Sequence, residues 1–178
     1  MSSKILDIES HIAEIIASEK EVLGQPAWQK VSSKQDSWQL KASVRAKIET
    51  DFKLSIVLDT NVKCPFQRGS IILTCSSAPI ERMEHCNRRQ HVNKLDKAVP
   101  KHLRGLDIPP DICRYYSWDN NRRYKWPNAS RPLNLPVSEP ISELNTKLFF
   151  DSVKYFLKRT NLKLEVPDLH YDARLGLQ

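Results

Sequence analysis

Residues 38–48, WQLKASVRAKI, alternate without a fault. Trp38, Leu40, Ala42, Val44, Ala46 and Ile48 are apolar, and Gln39, Lys41, Ser43, Arg45 and Lys47 stand between them. A period of two puts every second side chain on the same face of a strand and is incompatible with one helical stripe. Such a strand hides only one face. The chain must therefore supply more strands beside it and a layer to cover it. After a short turn at 49–51, Phe52, Leu54, Ile56 and Leu58 resume the alternation, which predicts an antiparallel hairpin. Residues 60–69 read as a loop. SIILTCS (70–76) reads as a third, more fully buried strand, and residues 28–31 as a short edge strand before the hairpin.

The covering layer is expected from both ends of the chain. Over residues 3–23, Ile5, Ile8, Ile12, Ile15, Ile16, Val22 and Leu23 recur near the helical period, and Gly24 and Pro26 stop the run. Near the other end, Ser138 is the predicted N-cap of a helix with Pro140 in its first turn. Ile141, Leu144, Leu148, Phe149, Val153, Phe156 and Leu157 carry that helix to about Arg159. Between 77 and 135 the pattern is weaker. A helix over 80–98 lacks a clean apolar stripe, so a strand followed by a basic excursion is the preferred reading. ICRYYSW (112–118) reads as another strand and 119–136 as a long surface loop. The expected fold is α+β: an antiparallel sheet of about four or five strands packed with an N-terminal and a C-terminal helix. The whole of 1–178 forms one domain, with a basic, loop-rich excursion at about 79–135. The uncovered sheet face carries Lys41, Arg45, Lys47 and Lys53.

Charge narrows the function. Residues 1–80 hold 10 Lys/Arg against 9 Asp/Glu, residues 81–132 hold 12 against 6, and residues 133–178 hold 6 against 6. Nearly all the net charge of +7 therefore sits in the middle third. A concentrated excess of this kind points to an anionic partner for that region. No apolar run is long enough to span a membrane, and the N-terminus lacks the pattern of a secretory signal. The four cysteines, Cys64, Cys75, Cys86 and Cys113, show no tight spacing and read as reduced thiols in a cytoplasmic protein. There is no glycine-rich phosphate loop, G-x-S-x-G or H-E-x-x-H, so no cofactor is expected and conventional nucleotide or serine hydrolysis is disfavoured.

Three chemistries compete for the basic third. His85, His91 and His102 are interleaved with Arg and Lys, the kit needed for metal-independent RNA cleavage, with His91 and His102 as acid and base. Cys64, Cys75, His85, Cys86 and His91 offer zinc donors, but a closed structural site normally shows a C-x₂₋₄-C pair and none exists, so no metal site is expected. Residues 117–131 mix Arg122, Arg123, Lys125 and Arg131 with Trp118, Tyr124 and Trp126. Cations there hold phosphates and aromatic faces stack on unpaired bases, while Asn120, Asn121 and Asn128 offer base-edge donors and acceptors.

Residues 70–160 resemble small uncharacterised prokaryotic families, some associated with toxin–antitoxin modules. Their pattern is a strand, an H-x-N element, a strand with H-x-H before an aromatic, and a C-terminal helix. HVN (His91, Asn93) fits the first element. PDICRYY stands at the second, with Asp111 and Cys113 where the two histidines would be. The resemblance implies a setting in defence or counter-defence, and the departure argues against intact histidine catalysis.

The sequence thus predicts a binding protein for a polyanion, RNA or DNA. Arg88, Arg89, Lys101, Arg104, Arg122, Arg123 and Lys125 contact phosphates, Tyr124 and Trp126 stack, and Asn93 joins the binding set. A metal-independent ribonuclease of toxin type is the runner-up. An inhibitor docking an acidic protein partner is the third reading.

Overall fold

The computed structural model describes residues 11–31, 37–48, 53–61, 68–76, 78–122, 135–145 and 148–167. The alternating segment forms β3 (Ser37–Ala46), with Leu40, Ala42, Val44 and Ala46 buried and Lys41, Ser43 and Arg45 exposed. It pairs antiparallel with β4 (Leu54–Asn61), Leu40 opposite Leu58 and Ala42 opposite Ile56. β5 (Gly69–Cys75) and β6 (Ala78–His85) extend the meander, with a register shift between Leu73 and Thr74. Two short strands flank β3 on its other side, β1 (Lys20–Leu23) and β2 (Trp28–Lys30). Beyond β6 come β9 (Arg114–Tyr116) and β10 (Glu139–Pro140), and beyond β1 the parallel β11 (Leu162–Lys163). Among the described residues the sheet is thus nine-stranded, in the order β10-β9-β6-β5-β4-β3-β1-β11 with β2 also on β3. A separate two-stranded ladder joins β7 (His91–Val92) to β8 (Asp107–Ile108).

This is an α+β fold with a mixed, mostly antiparallel sheet, and its strands outnumber the four or five expected. The added strands are two to four residues long, too short for a period-two signal to build. The expected N-terminal helix also shortens. The described part of α1 covers residues 11–17, and residues 3–10 lie outside the described set. Residues 20–23 leave the helix because the free edge of β3 needs a partner, with Val22 opposite Val44. The buried Lys20 amine ends the helix. It donates to the carbonyls of Ile15 (2.7 Å), Ile16 (2.9 Å) and Ser18 (2.5 Å), which the helix leaves unpaired.

The C-terminal helix is shorter than expected too. α3 runs Phe149–Arg159, with Asp151 accepting the Leu148 N–H (3.1 Å) and Lys158 and Arg159 in the last turn. Ser138 is therefore no N-cap. It is fully buried ahead of β10, and Pro140 sits on an edge strand where its missing N–H costs nothing. Residues 142–144 form a single 3₁₀ turn. The strand expected at 112–118 is trimmed to β9, because Ser117 caps the one-turn helix α2 (Trp118–Asn121) by accepting the Asn120 N–H (3.2 Å). The region 80–98 is strand and loop, as the missing stripe implied.

One side of the sheet is the main core. Leu40, Leu58, Ile71, Met83 and Tyr115 face each other across successive registers and are all buried. Phe149, Val153 and Phe156 of α3 join the same cluster, with Ile12 and Ile15 of α1. The closest approach is at Gly69, where a Cβ would lie 2.1–2.7 Å from three atoms of the Phe149 ring. Gly69→Ala must push that ring out of a packed core. We expect a loss of about 1–3 kcal/mol in a urea titration, with an unchanged m-value. Phe149→Leu in the same background should recover part of it.

Candidate functional site

The functional candidates gather at the β6–β9 end of the sheet. There the chain leaves β6 at His85, runs through the excursion and re-enters at β9. Here the second sheet face is covered as well. Glu84 and Arg114 stand opposite each other on that face, as do Arg82 and Tyr116. Glu84 is buried and collects partners. Arg82 donates to it, Tyr116 OH lies at 2.9 Å, Asn87 Nδ2 at 2.9 Å, and Arg114 Nε at 3.8 Å as an ion pair. Burial, reinforced by the Glu84 carboxylate, pushes the Tyr116 phenol up to about 12. The Tyr116 ring has the Arg82 guanidinium 5.3 Å from its centroid and the His91 ring at 5.8 Å edge-on.

Arg114 is only 2 % exposed, so it cannot reach an outside anion. Its Nη2 donates instead to the backbone carbonyls of Asn87 (3.5 Å) and Arg89. That holds the 87–89 backbone against the sheet. Arg88 and Arg89 on that loop are exposed, and with Arg68, Arg82, Glu84 and His85 they line a cleft of about 330 Å³. Four arginines and one acidic residue are among its lining. The Nε atoms of Arg68 and Arg82 are buried without a hydrogen-bond partner among the described residues.

The excursion is ordered by a buried amide. Asn93 Nδ2 donates to Leu103 O (3.0 Å) and Ser138 O (2.8 Å), and its Oδ1 accepts Ser138 N–H (3.0 Å). His91 Nε2 lies 3.1 Å from the same oxygen. Val99, Leu103 and Val137 close a small core beside it. Asn121 repeats the device one residue earlier, exchanging two 2.8 Å bonds with the Val137 backbone.

The expected site residues therefore separate. Arg88 and Arg89 share the cleft. Lys101, His102 and Arg122 are exposed. Arg104 is exposed, yet it donates to the carbonyls of Asp96 (3.1 Å) and Val99 (3.1 Å). Asn93 and Asn121 lie inside with their amides committed, and His91 is half-buried beside Tyr116. Arg123, Tyr124, Lys125, Trp126, Asn128, Arg131 and Cys64 lie outside the described residues. Trp118 is buried and packs in the main core.

Sequence reasoning placed Arg82 among the cations around the histidines but passed over Arg68 and Arg114, and nothing in a linear pattern tells the buried Arg114 from the exposed Arg88. It named His85 and Cys86 among possible zinc donors but left out Cys113, which completes a group of soft donors. His85, Cys86 and Cys113 are all buried, and their ligand atoms lie within 4.8 Å of one another. Cys86 Sγ is 3.5 Å from Cys113 Sγ, and Cys113 Sγ is 3.3 Å from His85 Nδ1. Ser152 Oγ of α3 is 2.7 Å from that nitrogen. Burial pushes the Cys113 thiol up and, with the Cys113 side chain adding, the Cys86 thiol up to about 12. The adjacent His-Cys pair was the one available signal. Cys75 is buried in β5.

Comparison with known protein families, with curated proteins and with solved structures returns no match.

Two predictions follow from this geometry. Asn93→Ala leaves Leu103 O and both Ser138 backbone groups without their partner. Each buried orphan costs about 1–3 kcal/mol, so hydrogen exchange across 94–108 should speed up while β3–β5 stay protected. Glu81, on the core face of β6, accepts the Trp118 N–H (2.9 Å), yet burial pushes its carboxyl from 4.5 up to about 7. The folded protein thus keeps a proton that the unfolded chain releases at lower pH. Stability should fall as pH rises from about 4.5 to about 7, by up to about 3 kcal/mol, and then level off. Glu81→Gln should flatten that descent in urea titrations across the window.

Proposed function

We propose that the protein binds the sugar-phosphate backbone of a nucleic acid, RNA foremost, across the arginine-lined cleft and the exposed cations of the excursion. The observation that carries this reading is the cleft itself. Arg68, Arg82, Arg88 and Arg89 line one cleft, and Glu84 is the single acidic residue of its lining. Guanidinium groups suit this task because their planar fork matches two phosphate oxygens at once. Arg88 and Arg89 are exposed at the rim of this cleft, where their guanidinium groups can reach an outside phosphate. Lys94, Lys97, Lys101 and His102 are exposed on the adjoining excursion and continue the positive surface. Arg122 and the expected contacts Arg123, Tyr124, Lys125 and Trp126 belong to the same proposal. A role in prokaryotic or phage defence or counter-defence rests on the resemblance of residues 70–160 alone.

Phosphate contacts imply counterion release, so binding should weaken steeply with salt. We expect purified protein to shift labelled single-stranded RNA in EDTA, with log Kd rising linearly in log salt concentration. Removing Arg88 and Arg89 together should weaken binding to all sequences alike. On a single strand it should also lower the slope by about 0.7 for each phosphate no longer neutralised. Cleavage on a denaturing gel that disappears in His91→Ala or His102→Ala would replace this reading with the ribonuclease. Binding that survives nuclease treatment of an extract would replace it with an acidic protein partner.

A further inference from the structure

We propose that His85, Cys86 and Cys113 hold one zinc ion that fastens the two ends of the excursion together. The donors are of the right kind, because zinc pairs borderline-soft character with thiolate and imidazole ligands. Two of their three separations are also right. Zinc–sulfur bonds of about 2.3 Å and zinc–nitrogen bonds of about 2.0–2.1 Å, set tetrahedrally, separate neighbouring donor atoms by about 3.5–3.8 Å. The sulfurs lie 3.5 Å apart, and His85 Nδ1 lies 3.3 Å from Cys113 Sγ. The third pair, His85 and Cys86, lies within 4.8 Å, so a movement of at most about 1 Å closes the set. A disulfide would instead need the sulfurs to close to about 2.05 Å.

The three residues are held independently of any ion. His85 ends β6, Cys113 immediately precedes β9, and the Cys113 N–H is bound by Asn145 Oδ1 at 2.7 Å. Cys86 takes a left-handed backbone conformation, φ +47°, which is uncommon for a side chain of this type. In that conformation its Sγ meets Cys113. Ser152 Oγ, 2.7 Å from His85 Nδ1, stands beside the fourth position. His85 and Cys86 also line the arginine cleft, which supplies a path for the ion.

The charge balances as well. Zn²⁺ replaces the two thiol protons, which leave to solvent, and the two thiolates with a neutral imidazole make an uncharged buried centre. Cys86 and Cys113 bracket the excursion, and the Asp111 N–H already donates to Asn87 O (2.7 Å) at its root. A metal there closes the loop that carries Arg88 and Arg89, with the entropic gain of any cross-link. The proposal stands apart from the nucleic-acid reading, since a structural zinc would serve either a binding surface or a catalytic one.

The test uses the reduced full chain and cobalt as a spectroscopic stand-in. We expect one Co²⁺ per chain, with the intense visible bands of a tetrahedral site and a near-ultraviolet thiolate-to-cobalt band, both erased when zinc is added. Cys113→Ser and Cys86→Ser should lose the thiolate band or lower its intensity, and Cys75→Ser should leave it intact. Native mass spectrometry of the wild type should find one zinc with two protons lost, which tests the site even if the serine variants do not fold. Absence of zinc in that spectrum overturns the proposal. So does a thiolate band that persists unchanged in Cys113→Ser, or a wild-type Co²⁺ complex that lacks one.

Discussion

A carboxylate and a guanidinium, both withdrawn from water, set the arrangement of the whole β6–β9 end. Glu84 and Arg114 face each other across the two strands, 3.8 Å apart at the nearest atoms. Neither can be buried alone, because an isolated charge in the interior costs several kcal/mol. Each is therefore surrounded by obligatory partners. Glu84 takes Tyr116, Asn87 and Arg82, and Arg114 takes the carbonyls of Asn87 and Arg89. The pair thus does more than join two strands. It locks the loop that displays Arg88 and Arg89, and it keeps Tyr116 where His91 and Arg82 pack on it.

The sheet's two faces are used differently along its width. At β3 the second face is polar and wet, with Lys41, Ser43 and Arg45 exposed. At β6 and β9 the same face is covered by the excursion. The covering joins a small apolar cluster, Val99, Leu103 and Val137, to a buried ion pair and two buried asparagines. The polar part is costly to leave incomplete, so each of its members has several partners. Asn93 and Asn121 show this most plainly. They treat the backbone at 137–138 as a neighbouring strand, pairing with it through side-chain amides where no strand is present.

This design connects the structure to its proposed work. A cationic surface that grips a backbone must not collapse when its partner leaves, and like charges on a loop repel. Arg88 and Arg89 are held by Arg114 from beneath, and Arg104 spends its guanidinium on the carbonyls of Asp96 and Val99 within the excursion. The zinc proposed at Cys86 and Cys113 would act on the same loop from its root. Rigid presentation lowers the ordering cost that binding would otherwise incur.

The meander was legible in the sequence because its signal repeats. Period-two alternation runs through eleven positions at 38–48 and again through β4, and burial of one face leaves little choice of register. The strand and basic excursion after residue 77 were legible for the opposite reason, the lack of any helical stripe. Short edge strands were not legible. KEVL at 20–23 suits a helix or a strand equally, and the exposed edge of β3 decides between them. The basic third was visible as composition, but the roles within it were not. Arg114 and Arg88 are the same residue type in the same segment, one 2 % exposed and the other open to solvent, and only packing separates them. Likewise His85-Cys86 and Cys113 lie far apart in the chain and adjoin only because β6 and β9 pair. Local pattern determines which face of a strand is buried; contacts between distant segments determine which polar groups must be satisfied inside and which remain free to meet a ligand.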